Sequence, residues 1–209
     1  MSDVFDAGFW DERYSSSPAI WSGRPNPHLV TEAADLTPGR ALDVGSGEGA
    51  DAIWLAERGW TVTAVDHSRV ALARSAERAA QEGADIAARI SWEQADVTQW
   101  GPGDGIYDLV SAQFMHLPSA DRVPLFARLA AAVAPGGSLL VVGHNLSDRE
   151  TSLRSHFDVD FFWAGEAIIE ALDPDAWEIV TNTAPSRTHV HEGEEITIND
   201  TVVRARRVA

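Results

Sequence analysis

The chain has 209 residues, a formal charge of −16 from 16 Lys+Arg against 32 Asp+Glu, and no cysteine. Its length suits one domain with a full core, and the lack of cysteine excludes a disulfide framework, a thiolate metal site and a cysteine nucleophile. The acidic balance argues against nucleic acid, whose binding gains from a basic surface, and against anionic membranes. In chain order, Val4 to Tyr14 reads as a short amphipathic helix, followed by the loop Ser15-Ser16-Ser17-Pro18. A second helix from Pro27 to Ala34 closes at Thr37-Pro38-Gly39. Strands one and two are Arg40 to Val44 and Thr61 to Val65, separated by a helix from Ala50 to Arg58 that ends at Gly59. The alanine-rich segment Val70 to Glu82 is helical, and Ile90 to Glu93 is strand three. Strand four is Tyr107 to Ala112, a helix spans Asp121 to Ala134, and Pro135-Gly136-Gly137 turns into strand five, Ser138 to Gly143. A polar stretch, Asn145 to Phe162, precedes a helix from Ala164 to Leu172 and two strands, Trp177 to Thr183 and Asp200 to Arg206. Strand–helix alternation with short loops predicts an α/β fold, a parallel sheet wound on both faces.

Ala41-Leu42-Asp43-Val44-Gly45-Ser46-Gly47-Glu48-Gly49-Ala50 ends an apolar run in three alternating glycines. Thr63-Ala64-Val65-Asp66 ends a second run in an acid 23 positions after Asp43. That is a strand, a tight turn bringing bare backbone to a ligand, a helix, and a second strand ending in a ribose-holding carboxylate. A nucleoside-containing cofactor is therefore expected across the two strand ends. The loop also satisfies G-x-G-x-x-G/A, so a nicotinamide dinucleotide is the rival. A pyrophosphate wants amide donors without nearby carboxylates, and Asp43 and Glu48 would repel it. An ammonium and a sulfonium would be attracted.

This stretch resembles the glycine-rich first motif of class I S-adenosylmethionine-dependent methyltransferases. Glu93-Gln94-Ala95-Asp96-Val97, Tyr107-Asp108-Leu109-Val110-Ser111 and Pro135-Gly136-Gly137-Ser138-Leu139-Leu140 resemble the family's later motifs in matching order. The resemblance implies a Rossmann-like, doubly wound, seven-stranded and mostly parallel sheet whose last strand is antiparallel. It implies S-adenosyl-L-methionine held by Asp43, Gly45, Ser46, Gly47, Asp66 and His67. Asp96 would accept from the adenine amino group, the Val97 amide would meet a ring nitrogen, and Ser111 would pass beside the methionine portion. Phe9-Trp10-Asp11-Glu12-Arg13-Tyr14 and Ala19-Ile20-Trp21-Ser22-Gly23-Arg24-Pro25-Asn26 look like the N-terminal lid of small thiopurine- and tellurite-resistance-type methyltransferases. By that likeness Trp10, Tyr14 and Trp21 flank the sulfonium, where aromatic faces favour a cation. Arg13 pairs with the cofactor's carboxylate. Residues 1–38 form the lid of one domain spanning 1–209, and 145–163 is the substrate-covering loop.

The acceptor's chemistry decides whether a base is needed. A thiol is already partly ionised near neutral pH, whereas a hydroxyl is a far weaker acid and needs one, normally histidine or a carboxylate. His144 follows strand five and His116 follows strand four, so both reach the region beyond the strand ends where doubly wound sheets bind ligands. They are the candidate bases. His156-x-Asp158-x-Asp160 is a weak candidate for a hard cation, and His189-x-His191 lacks a third ligand for zinc, so no metal is assigned. The expectation is methyl transfer to a small molecule, preferably at a hydroxyl of a sugar, polyol or phenol. Transfer to sulfur or another chalcogen is the alternative, and a non-catalytic cofactor-binding module is the rival outside enzymology. The polar start and the lack of a long apolar run imply a cytoplasmic monomer or homodimer, with neither nucleic acid nor membrane as partner.

Overall fold

The computed structural model describes residues 6–115, 117–148, 159–191 and 194–209. Two short helices lead, α1 (Ala7–Ser15) and α2 (Pro27–Ala33), and each starts on a side-chain cap. Asp6 accepts from the Phe9 amide and Asn26 from the His28 amide, satisfying donors that a helix start leaves open. β1 (Arg40–Val44), α3 (Ala50–Glu57), β2 (Thr61–Asp66), α4 (Arg69–Glu82), α5 (Ala84–Ala87) and β3 (Ile90–Gln94) follow. α4 is capped by Ser68 and buries Ala71, Leu72, Ser75 and Ala79, the three-and-four spacing of one helix face. Then come β4 (Tyr107–Gln113), α6 (Ser119–Ala132), β5 (Val133–His144), α7 (Glu166–Ile169), β6 (Trp177–Thr183), β7 (Ser186–His191) and β8 (Glu194–Arg207).

The strands lie in the order β3-β2-β1-β4-β5-β8-β6, with β7 paired to β8. β1 to β5 run parallel, and β6, β7 and β8 pair antiparallel. Side chains alternate between two cores, as a pleated strand requires. Leu42, Val44, Leu139 and Val141 join Leu125, Phe126 and Leu129 of α6 on one face. Ala41, Leu140 and Val142 join Leu29 of α2 and Ile53 and Leu55 of α3 on the other. The direction of winding reverses between β1 and β4, so a crevice opens beyond their carboxyl ends.

The expected seven-strand arrangement is present with one strand more. β8 is 14 residues long, yet its pairing with β5 ends where Asp200 meets His144. Glu194 to Asn199 would be an open edge beyond that point, and β7 pairs with it as a hairpin. β5 also starts earlier than expected: Val133 pairs with Tyr107 before a register shift, so the Pro-Gly-Gly turn lies inside the strand. The expected helix from Ala164 to Leu172 contracts to α7.

Candidate cofactor and acceptor site

The floor of the crevice is a polar row on the face shared with α2 and α3. Asp43 stands beside Ser111 in the β1–β4 register, Gln113 beside Val142 on β5, and His144 opposite Asp200 on β8. Asp43 is buried and takes the Ala52 amide, but its Oδ2 has no hydrogen-bond partner among the described residues. Ser46 Oγ and Gln113 Oε1 are buried in the same condition, while Gln113 Nε2 donates to Ser111 Oγ at 2.8 Å. An unmade bond at a buried polar atom costs about 1–3 kcal/mol, so such atoms gather where a ligand completes them. Two acceptors and a hydroxyl fit the ammonium and carboxylate of an amino-acid end.

The glycine loop decides between the two nucleoside cofactors. Gly45 and Ser46 donate their amides to Val65 O at 2.8 and 3.0 Å, Gly49 donates to Ser46 O at 2.9 Å, and Gly47 donates to Asp66 Oδ2 at 2.8 Å. These donors are spent inside the protein, which leaves a pyrophosphate without its usual amide cradle. Gly45 and Gly47 have φ of 72° and 52°, left-handed values that favour glycine. A Cβ on Gly45 would lie 2.6 Å from Met115 Sδ. Asp66 also accepts from Ser68 N at 2.8 Å. Burial pushes the Asp43, Asp51 and Asp66 carboxyls up, Asp51 to about 6, and the like charges of Asp51 and Asp66 push Asp43 further.

α1 and the following loop lie against the glycine loop and the start of α4. Tyr14 is buried, and its hydroxyl sits 3.0 Å from where a Gly47 Cβ would be and accepts from Trp21 Nε1 at 3.1 Å. Burial and the nearby Asp66 charge push its phenol up to about 12, so it stays protonated. Trp10 stacks at 6.1 Å from Tyr14, and the Arg13 guanidinium lies 5.9 Å over the Trp21 ring. The structure thus gathers Trp10, Arg13, Tyr14 and Trp21 at the glycine loop. Glu48 differs from its expected role: its carboxylate turns to the backbone of the loop after α1, accepting from Ile20 N and Trp21 N at 3.1 and 3.0 Å. Asp96 accepts from Thr98 N and Oγ1 in a turn just past β3, and Val97 is buried in the core behind it. His67 follows β2, and its carbonyl accepts from Gln94 Nε2.

At the end of β5, the His144 ring lies between Phe114 and Phe162, with centroids 5.0 and 6.0 Å away. Phe114 holds a left-handed φ of 51°, a strained value that turns the chain from β4 towards the glycine loop. Asp200 is buried opposite His144 and binds His28 Nε2 at 3.1 Å and Arg187 Nε at 2.6 Å. His28, Arg187, Asp51, Gln113 and Phe114 were not foreseen; no local spacing ties His28 to a partner 172 positions away. His116, His156 and Asp158 lie outside the described residues. Asp160 accepts from Ser119 N at 2.5 Å and pairs with Arg122 at 3.8 Å.

Comparison with known proteins adds a second line. Residues 41–137 match the family described as a methyltransferase domain. The methyltransferase GfsG of Streptomyces halstedii is 31% identical over 165 residues, 75% of this chain and 58% of that protein. A 2-heptyl-1-hydroxyquinolin-4(1H)-one methyltransferase of Mycobacteroides abscessus is 26% identical over 148 residues, 68% of this chain and 64% of that protein. The chain thus spans less than two thirds of the length of these curated relatives. The crystal structure of TehB from Haemophilus influenzae superposes with a TM-score of 0.70 at 20% identity, over 96% of this chain and 66% of that one, a likeness of fold.

Proposed function

The chain carries a methyltransferase domain of the class I, S-adenosylmethionine-dependent kind, and on that premise we propose that it methylates a small molecule at a hydroxyl of a sugar, polyol or phenol. The observation that carries this reading is the set of three buried polar atoms at the strand ends, Asp43 Oδ2, Ser46 Oγ and Gln113 Oε1, that lack a partner among the described residues. S-adenosylmethionine supplies an electrophilic methyl on a sulfonium when bound there. Asp43, Ser46 and Gln113 would hold its amino-acid end, Asp66 its ribose, and Asp96 with the Val97 amide its adenine. Trp10, Tyr14 and Trp21 present aromatic faces to a cation, and Arg13 stands near as a counter-charge to a carboxylate. The lid's second task is to exclude water, because an in-line displacement depends on alignment of nucleophile and electrophile in a dry site.

His144 is the proposed base. Its place at the end of β5, between two phenylalanine rings, suits a planar or hydroxylated acceptor. The acceptor's oxygen would take the methyl as the sulfonium's S–C bond breaks and the neutral thioether leaves, and the acceptor's proton would pass to the imidazole and then to solvent. The name of the Mycobacteroides relative, a methyltransferase of a hydroxylated heterocycle, supports oxygen as the acceptor atom. The test is labelled methyl transfer from S-adenosylmethionine to a panel of phenols, polyols and small thiols. On a hydroxyl, His144→Ala lowers turnover about 100- to 10,000-fold, leaves cofactor affinity unchanged, and removes the pH dependence that a histidine base gives the rate. Near-normal turnover by His144→Ala on a hydroxyl refutes the base. Methylation confined to thiols moves the acceptor to sulfur, and binding without transfer to any acceptor favours a cofactor-binding module.

A further inference from the structure

We infer that Glu48 is the latch that holds the lid closed on the glycine loop, a positioning residue on which cofactor retention depends. This rests on the strand-end crevice being the cofactor's seat. Glu48 lies between Gly47 and Gly49, so its backbone is part of that seat. Its carboxylate leaves the seat and takes the amides of Ile20 and Trp21, residues 28 and 27 positions earlier. Arg74 of α4 completes the arrangement, donating from Nη1 to Ser17 O at 2.9 Å and pairing with Glu48 Oε1 at 3.4 Å. Arg78 donates to Gly23 O at 2.5 Å, one turn further along α4.

Little apolar packing holds this loop. Trp21 is 47% exposed, and Pro18, Ala19, Trp21, Ser22 and Gly23 share the lining of a cavity of about 480 Å³ with α4. Closure therefore rests on a few charge-assisted bonds, and a segment held that way opens at low cost. Glu48 is the point where those bonds meet the seat. Gly47, next to it, is fixed from below by Asp66 and by Ser75, whose Oγ donates to Gly47 O at 3.0 Å. From above it meets the Tyr14 hydroxyl. A ligand that orders the loop thus orders the carboxylate that holds Ile20 and Trp21. By thermodynamic reciprocity, a closed lid tightens the ligand by the same factor as the ligand tightens the lid.

The experiment uses the full chain and four variants: Glu48→Ala, Glu48→Gln, Arg74→Ala and, as a control, Glu82→Ala at the exposed end of α4, outside the cavity lining. Calorimetry gives S-adenosylmethionine affinity, and trypsin cleavage after the exposed Arg13 gives lid opening, with and without cofactor. Glu48→Ala is expected to cleave about tenfold faster without cofactor, to bind S-adenosylmethionine about tenfold more weakly, and to lose most of the protection that cofactor confers. Glu48→Gln keeps a carbonyl oxygen for the two amides and recovers most of both effects. Arg74→Ala shifts both in the same direction even if Glu48→Ala folds poorly, and Glu82→Ala matches the parent. Parent-like cleavage in both Glu48→Ala and Arg74→Ala overturns the latch, as does parent-like affinity combined with faster cleavage. If the parent protein itself binds no S-adenosylmethionine, the cofactor reading fails separately, and cleavage without cofactor still decides whether Glu48 holds the lid.

Discussion

Three acids, Asp43, Asp51 and Asp66, lie near enough for the charges of Asp51 and Asp66 to act on Asp43, and burial raises all three above the usual carboxylate range. An acid whose folded value is raised is ionised only at higher pH, so the seat gains negative charge as pH climbs through about 6, the Asp51 value. Affinity for a cationic cofactor should therefore rise between pH 5 and 8, and calorimetry across that range checks it. The stability of the ligand-free protein has the opposite sign. The unfolded chain releases the proton near the ordinary carboxylate value and the folded chain only near 6, so stability falls as pH rises across that window. Asp51→Asn should flatten this fall and raise stability at pH 7 by on the order of 1 kcal/mol, read by urea unfolding. Asp43 and Asp66 were legible in the sequence because each ends an apolar run beside the loop. Asp51 was not, since an acid in the first turn of a helix is ordinary there and only its burial against Asp43 sets it apart.

At the scale of elements, α2 is tied to β8 through Asp200, and the β7–β8 hairpin closes the same knot through Arg187. Burial acts to raise the Asp200 carboxyl, and its hydrogen bonds to His28 and Arg187 outweigh that and lower it. A lowered acid contributes stability that is present above the ordinary carboxylate value and lost as pH falls through the folded one. Asp200→Asn should thus cost about 1–3 kcal/mol at pH 7, and the gap from the parent should narrow below about pH 4. Urea unfolding at the two pH values measures it; a constant gap would mean that shape, not charge, makes the tie. Strand positions were readable because parallel strands buried on both faces are apolar runs, and β1 and β6 fall where expected. β7 was missed because Ser186 to His191 carries no apolar run; its pairing partner is the overhang of β8, a consequence of register. α5 was missed because four residues give no period to read.

For the whole molecule, one reversal in strand order brings the carboxyl ends of β1, β2 and β4 side by side, and with them Asp43, Asp66 and Ser111, three of the residues the sequence offers as cofactor contacts. The short-range motifs were legible because each is a local turn. The surroundings of His144, where α2, β5 and β8 meet, were only half legible, since His144 marks a strand end but its neighbours arrive from distant parts of the chain. Among the described residues no helix is long and apolar enough to cross a membrane. The most direct test of the central claim is a calorimetric titration of the protein with S-adenosylmethionine, its demethylated product, NAD and NADP. Saturable binding of the first two, with no comparable heat from either dinucleotide, is the predicted result. Tight binding of NAD or NADP with no response to S-adenosylmethionine or its product would contradict it.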